Sequence, residues 1–294
     1  MKILITGAKG QLGQDCSDIL AGEHTVYPID LQELDITDQQ QVSAYLEKMR
    51  PDVVINCAAY TAVDACEKNR KLCLQVNGEG PGFIAAGCAA TGSRIIHIST
   101  DYVFDGSKPV PQAYNEEEQP NPVSAYGSSK LAGEENVRKE CDNHLIIRTA
   151  WLYGIGGPNF LKTMLRLACS NPQKTLRVVN DQFGSLTWSH RLAVQVKTLL
   201  ETGLTGTIHA TAEGYSSWYE GAQYFLRCMN VPHAIEPCTT AEYPTPALRP
   251  ANSILENKVL HELGLNRMDD WQKDIELFVA RFRDQLLAEA CAKV

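Results

Sequence analysis

The chain has 294 residues, 44% of them hydrophobic and 21% charged, which allows one large α/β domain or two modest ones with an ample core. The formal net charge is −8 and no Lys/Arg-rich stripe occurs, so nucleic acid is not an expected partner. No apolar run approaches the roughly 20 residues that span a bilayer. The opening MKILITGAKGQLG breaks at glycine too soon for a signal peptide, so a cytoplasmic location is expected.

Short runs rich in Ile, Val and Leu at 2–6, 25–30, 52–56, 94–99 and 145–148 read as strands buried on both faces. Helical patterns lie between them near 11–21, 39–50, 81–91 and 126–140. This alternation predicts a Rossmann-type, doubly wound parallel sheet over residues 1–150. Beyond 150 the loops turn Gly/Pro-rich, and helices are expected near 160–170, 189–201, 217–229 and 269–290. Strand-like runs at 175–180 and 207–210 are expected to rejoin or flank the sheet, so that segments near 174–210 return to the first domain. The remainder of 151–294 is read as a smaller, mostly helical substrate domain. Ten scattered cysteines with no C-x-x-C pair read as reduced thiols, and no protein-ligated metal is expected.

The first strand runs into Gly7, Gly10 and Gly13, a G-x-x-G-x-x-G turn opening a helix. Glycines there let the backbone approach a pyrophosphate, while the helix amides of Gln11 and Leu12 face the anion. Asp30, at the end of the second strand, suits the hydroxyls of an adenosine ribose and repels a 2′-phosphate. Leu31 and Gln32 supply no cation, so NADH, or both NADH and NADPH, is the expected cofactor. Leu34, Asp35 and Ile36 are candidates to flank the adenine. Ala58, Ala59 and Tyr60 follow the third strand, where small side chains leave room for a cofactor.

The fourth strand ends in 99-STDYVFDG-106, and its carboxyl end faces the same crevice, which brings a Ser99 or Thr100 hydroxyl there. Tyr126 and Lys130 stand four residues apart, on one helix face, with Cβ atoms roughly 5–6 Å from each other. A phenol titrates near pH 10, and a neighbouring cation would bring it closer to neutrality.

G-x-x-G-x-x-G, N-x-A-A, S-T-D and Y-x-x-x-K together resemble the extended short-chain dehydrogenase/reductase superfamily. The stretches 59-AYTAVD-64, 99-STDYVFDG-106, 126-YGSSKLAGE-134, 148-RTAWLYG-154, 180-NDQFGSLT-187 and 249-RPANSIL-255 resemble the dTDP-4-dehydrorhamnose reductase family over nearly the whole chain. The resemblance implies NAD(P)H-dependent reduction of the 4-keto group of dTDP-6-deoxy-L-lyxo-4-hexulose to dTDP-L-rhamnose, the last step of dTDP-rhamnose synthesis. It implies Tyr126 as proton donor, Lys130 as the residue that tunes it and holds the nicotinamide ribose, and Thr100 as the group orienting the carbonyl. Thr100, Asp101 and Tyr102 would sit on the sugar side, and Trp151 would pack against the sugar ring. Asn159, Phe160, Gln182, Arg249, Asn252 and Ser253 would meet the nucleotide and diphosphate, Arg249 as a bidentate phosphate partner. The sequence departs from the family at Leu186, where proline is usual. Trp188, Ser189, His190 and Arg191 offer no carboxylate pair for the Mg²⁺ that links some family dimers, so neither that ion nor that dimer is expected; a homodimer of another kind stays open. Two alternatives stand beside this reading. One is another nucleotide-sugar enzyme of the superfamily, although Tyr102 follows Asp101 where dehydratases carry Glu. The other is an NADP-binding regulatory subunit of the methionine adenosyltransferase type.

Overall fold

The computed structural model describes residues 1–292. The first half alternates strictly: β1 (Lys2–Thr6), α1 (Gln11–Leu20), β2 (Thr25–Ile29), α2 (Gln39–Met49) and β3 (Val53–Asn56). Two short helices follow, α3 (Val63–Lys68) and α4 (Arg70–Leu74), with a π-helical turn at Gln75–Glu79. Then come α5 (Gly80–Thr91), β4 (Arg94–Thr100), a 3₁₀ turn at Asp101–Val103, α6 (Ala125–Glu140) and β5 (His144–Thr149). The second half comprises β6 (Leu152–Tyr153), α7 (Phe160–Ser170), β7 (Thr175–Val179), β8 (Phe183–Gly184), β9 (Thr187–Trp188) and α8 (Ser189–Leu200). It continues through β10 (Gly206–His209), β11 (Ser216–Ser217), α9 (Trp218–Cys228), β12 (Ala234–Cys238), α10 (Lys258–Glu262) and α11 (Trp271–Cys291).

Six parallel strands form the central sheet in the order β10-β5-β4-β3-β1-β2. Alternate residues feed opposite layers, which is why these strands read as continuous apolar runs. Ile3, Ile5, Val53, Ile55 and Ile147 pack with Leu12, Leu192 and Val196 of α1 and α8 on one face. Leu4, Val54, Ile95 and Ile146 pack with Val42, Leu46, Ile84 and Val137 on the other. Strand order reverses between β1 and β3, and a crevice at such a reversal is where open α/β sheets bind ligands.

The two strand-like runs of the second half part company. β10 extends the sheet beside β5, but β7 pairs in parallel with β12, away from it. Its Leu176 joins a second core with Leu161 and Leu165 of α7, Phe225 and Leu226 of α9, and Ile275 and Phe278 of α11. An apolar pentapeptide fits either place; the partner strand decides. Leu186 is a member of this second core, where Gly221 packs directly on its side chain.

Candidate active site

The carboxyl ends of β1, β3, β4 and β5 open into one cavity of about 830 Å³, within the usual range for cofactor and ligand sites. Gly7 has φ +65°, and a Cβ there would lie 2.7 Å from the backbone of Ala58. A Cβ on Gly13 would lie 2.3 Å from the Gly7 carbonyl oxygen. Only glycine lets β1, the loop and α1 close together in this way. Gly10 is the N-cap of α1 and brings no side-chain cap, so the first-turn amides point unblocked toward the cavity, where Gln11, Leu12 and Gly13 form its wall. The cradle fits a dinucleotide pyrophosphate.

Asp30, Leu34, Asp35, Ile36, Ala58, Ala59 and Tyr60 line the same cavity. Asp30 is held by the backbone amides of Lys9 (2.9 Å) and Leu31 (2.9 Å). One neighbour was not legible in the sequence around Asp30. The Lys9 side chain reaches across from the glycine loop and places its Nζ 3.1 Å from Gln32 Oε1. Leu31 and Gln32 supply no cation themselves, as read from the sequence; the glycine loop brings one, Lys9, to Gln32.

On the opposite wall, Ser124 caps α6 by accepting from the Gly127 amide at 3.1 Å. This fixes Tyr126 and Lys130 in the first turns, and both line the cavity with Thr100 and Asp101. Ser99 and Thr100 were equivalent candidates for the catalytic hydroxyl. The structure separates them: Ser99 donates inward to Glu134 Oε1 at 2.6 Å, whereas Thr100 lies by the Tyr126 phenol and donates to Asp101 Oδ1 at 2.8 Å.

Burial pushes the Tyr126 phenol above its ordinary value, the Asp101 charge pushes the same way, and the Thr100 hydroxyl opposes them. Lys130 is not among the groups that weigh most on the phenol. The lysine amine turns away to donate to the Ile98 carbonyl at 2.6 Å. Desolvation lowers Lys130 to about 8, with Glu134 opposing. Burial raises Asp101 to about 6, with Ser253 and Thr100 opposing. The phenol is thus held as an acid, which suits proton donation.

α6 is anchored beneath these residues. Glu134 is fully buried and bound by Arg148 of β5 (2.9 and 2.7 Å) and by Arg138 (2.6 Å). Asn77, in the π-helical turn, accepts from the Tyr60 amide at 2.8 Å and donates to its carbonyl at 3.0 Å. Arg138 reaches Glu134 across one helical turn, whereas the Arg148 and Asn77 supports join separate elements and do not follow from periodicity.

The residues expected on the substrate side are brought together only in part. Tyr102 and Trp151 line the cavity, but one face of Trp151 is covered. Trp218 stacks on it at 3.5 Å with planes 7° apart, and a Cβ on Gly184 would lie 2.5 Å from the ring. Trp218, not foreseen, also lines the cavity. Its indole N–H donates to Gln182 Oε1 at 3.2 Å and Phe160 packs at 4.5 Å. Gln182 and Phe160 therefore hold Trp218 and do not line the cavity themselves. Asn159 caps α7 and donates to Gln11 Oε1 at 3.0 Å. Asn252 is buried, donates to the Lys108 and Gln112 carbonyls and accepts from the Ile254 amide, which leaves it a structural role. Ser253 is buried against Asp101. Arg249 grips Asp64 with both terminal nitrogens, at 3.0 and 2.9 Å. Among the described residues no group of three or more His, Cys, Asp or Glu is arranged to hold a metal ion.

The family model described as RmlD substrate binding domain matches residues 1–284. The chain belongs to the dTDP-4-dehydrorhamnose reductase family. A family member from Burkholderia thailandensis, named dTDP-4-dehydrorhamnose reductase, is 40% identical and the match covers 95% of this chain and 98% of that one. A dTDP-4-keto-6-deoxy-D-glucose reductase of Streptomyces niveus is 38% identical over 91% of this chain and 93% of its own. The crystal structure of the Bacillus anthracis dTDP-4-dehydrorhamnose reductase in complex with NADP has 39% identity and a TM-score of 0.92, covering 96% of this chain and all of that one. Like its family, the chain is an NAD(P)H-dependent oxidoreductase.

Proposed function

We propose that this protein reduces the 4-keto group of dTDP-6-deoxy-L-lyxo-4-hexulose to give dTDP-L-rhamnose, with NADPH or NADH as reductant. The observation that carries the reading is the placement of Thr100, Tyr126 and Lys130 on one wall of the glycine-loop cavity, in a chain 40% identical to a reductase of that name. The dinucleotide would lie on Gly7, Gly10, Gln11, Leu12 and Gly13, with Asp30 and Lys9 at the adenosine end and Ala58, Ala59 and Tyr60 along its length. Once bound, reduced nicotinamide supplies the hydride. The remaining work falls to side chains. Thr100 would orient the substrate carbonyl by turning its one O–H from Asp101 Oδ1 to the carbonyl oxygen. Tyr126, kept protonated by burial, gives its proton to the carbonyl oxygen as negative charge develops there. Lys130 holds a positive charge near the phenol that is about to become anionic. Asp101 holds the Thr100 side chain in place by accepting that hydroxyl until the carbonyl takes it over.

On the sugar side, Thr100, Asp101, Tyr102, Trp151 and Trp218 support a compact pocket, with Arg249 available to a diphosphate by exchanging Asp64 for phosphate oxygens. The chain divides, on this reading, into a dinucleotide-binding part made of residues 1–150 with 189–210, and a substrate part made of most of the remainder. No helix of the described residues is long and apolar enough to cross a membrane, and the cytoplasm is the location we infer. A second reading, the reduction of another dTDP-4-keto-6-deoxy sugar, is favoured by the Streptomyces niveus relative at nearly equal identity.

The test is a coupled assay in which the 4-keto-hexulose is made from dTDP-glucose by dehydratase and epimerase. Reduced-nicotinamide absorbance is followed and the product sugar identified. Formation of dTDP-rhamnose is expected. Oxidation only when the epimerase is omitted would select the second reading. No oxidation with either cofactor would overturn both.

A further inference from the structure

Beneath Lys130 runs a buried chain of side chains that the reduction itself does not use. Thr6 at the end of β1 donates to Asn56 Oδ1 at 2.7 Å, and the Ala58 amide donates to the same oxygen at 3.2 Å. A backbone N–H can only donate, so Asn56 Oδ1 is fixed as the acceptor and Nδ2 as the donor. Nδ2 lies 3.1 Å from His97 Nδ1, which must therefore be the lone-pair nitrogen. The imidazole is fully buried, and desolvation with the Lys130 and Arg138 charges holds it well below its ordinary value, so it is neutral. Its one proton then sits on Nε2, and Nε2 faces Lys130 Nζ at 3.5 Å. An ammonium has no lone pair to accept that N–H; a neutral amine has one.

We propose that His97 is a positioning residue for Lys130: its Nε2–H is presented to Nζ as a donor, so it disfavours the ammonium and turns the amine toward the Ile98 carbonyl. The inference rests on the reading above that Lys130 serves the reduction. Glu134, on the same helix, pulls the other way, but its charge is shared by Arg148 and Arg138. Cys57, beyond β3, and Cys73, on α4, are the other titratable groups felt by the amine, and both act in the same sense as Glu134. Burial is the main cause that lowers the amine; among the described residues His97 is the side chain hydrogen-bonded to Nζ, its N–H polarity opposes the charge, and it is tied through Asn56 to the strand that carries the glycine loop.

The test is a pH titration of protein labelled with ε-¹³C lysine, the Lys130 resonance being assigned by its loss in Lys130→Met. Wild type is expected to titrate near 8. His97→Leu removes the donor and is expected to raise the midpoint by about one unit or more, toward the ordinary lysine value. His97→Met does the same and covers the case in which the leucine variant fails to fold. His97→Gln, which can accept from Asn56 and still present an N–H to Lys130, is expected to stay near wild type. An unchanged midpoint in the folded Leu or Met variant, or a Gln variant that shifts as far as they do, would overturn the proposal. The alkaline limb of the reduction rate should move with the resonance. If the resonance moves and no sugar nucleotide is reduced, the functional reading fails and the role of His97 stands.

Discussion

On the proposed reading, Tyr126 is the residue on which the chemistry turns. Tyr126→Phe is expected to lower turnover roughly 10²–10⁴-fold with dinucleotide affinity unchanged, as read from steady-state rates and from quenching of tryptophan fluorescence on titration with NADPH. The two shifted neighbours set the pH window. Asp101 is raised to about 6, so it is a carboxylate above that pH; Lys130 is lowered to about 8, so it is an ammonium below that pH. A bell-shaped profile of kcat/KM with limbs near these two values is expected, because Thr100 needs the carboxylate to hold its hydroxyl and the developing phenolate needs the cation. A flat profile from pH 5 to 9 would remove both groups from the rate. On the proposed reading, Lys9 acts at the adenosine end. Its amine lies 3.1 Å from Gln32 Oε1, two positions beyond Asp30, so Lys9→Ala should weaken NADPH about ten- to a hundredfold, the value of one charge-assisted hydrogen bond. NADH affinity should hold. Equal losses for both cofactors would mean that the lysine only braces the loop.

At the scale of elements, the site is built from strand ends and the two helix starts that face them. α1 and α6 both begin at the cavity, one capped by Gly10 without a side chain, the other by Ser124 with one. The difference has a reason: the bare cap leaves amides for an anion, and the serine cap spends an amide to fix the catalytic turn. Gly13→Ala would push a methyl to 2.3 Å from the Gly7 carbonyl oxygen, a backbone atom that cannot give way. Dinucleotide affinity should drop by about tenfold or more, measured by the same fluorescence titration, while α6 and its Tyr126 keep their place. The glycine spacing and the Tyr126–Lys130 spacing were legible because each lies within a few residues of one helix entrance. α3, α4 and the π-helical turn were not, since helices of five or six residues carry no periodicity to read. Yet these short pieces bring Asn77 to Tyr60 and so hold one wall of the cavity.

The whole molecule joins two cores, one wrapped round the six-stranded sheet and one among α7, α9 and α11, with the cavity drawing residues from both sides. Polar ties cross between distant segments: Asn159 to Gln11, Ser189 to Asp15, and Arg249 to Asp64. The last is the one that, on the proposed reading, a sugar nucleotide would exchange. Arg249→Met is expected to raise KM for the sugar nucleotide about ten- to a hundredfold, the worth of a lost charge-assisted phosphate contact, with NADPH affinity unchanged. An unchanged KM would leave the guanidinium as a strut between Asp64 and residues 245–247.

The sequence by itself determined the parallel sheet, the glycine cradle and the pairing of Tyr126 with Lys130, because each is written in local order: apolar runs of strand length, glycine at close approaches, a four-residue helical step. Only the tertiary structure decided where charge and contact fall between segments. It brought Lys9 to Asp30, turned Ser99 inward and left Thr100 by the phenol. It covered Trp151 with Trp218, sixty-seven positions away, and set His97 under Lys130. Those outcomes depend on which side chains the folded chain packs against one another. No spacing along the chain encodes that, and neither does it encode the desolvation that moves Tyr126 and Asp101 up and Lys130 down.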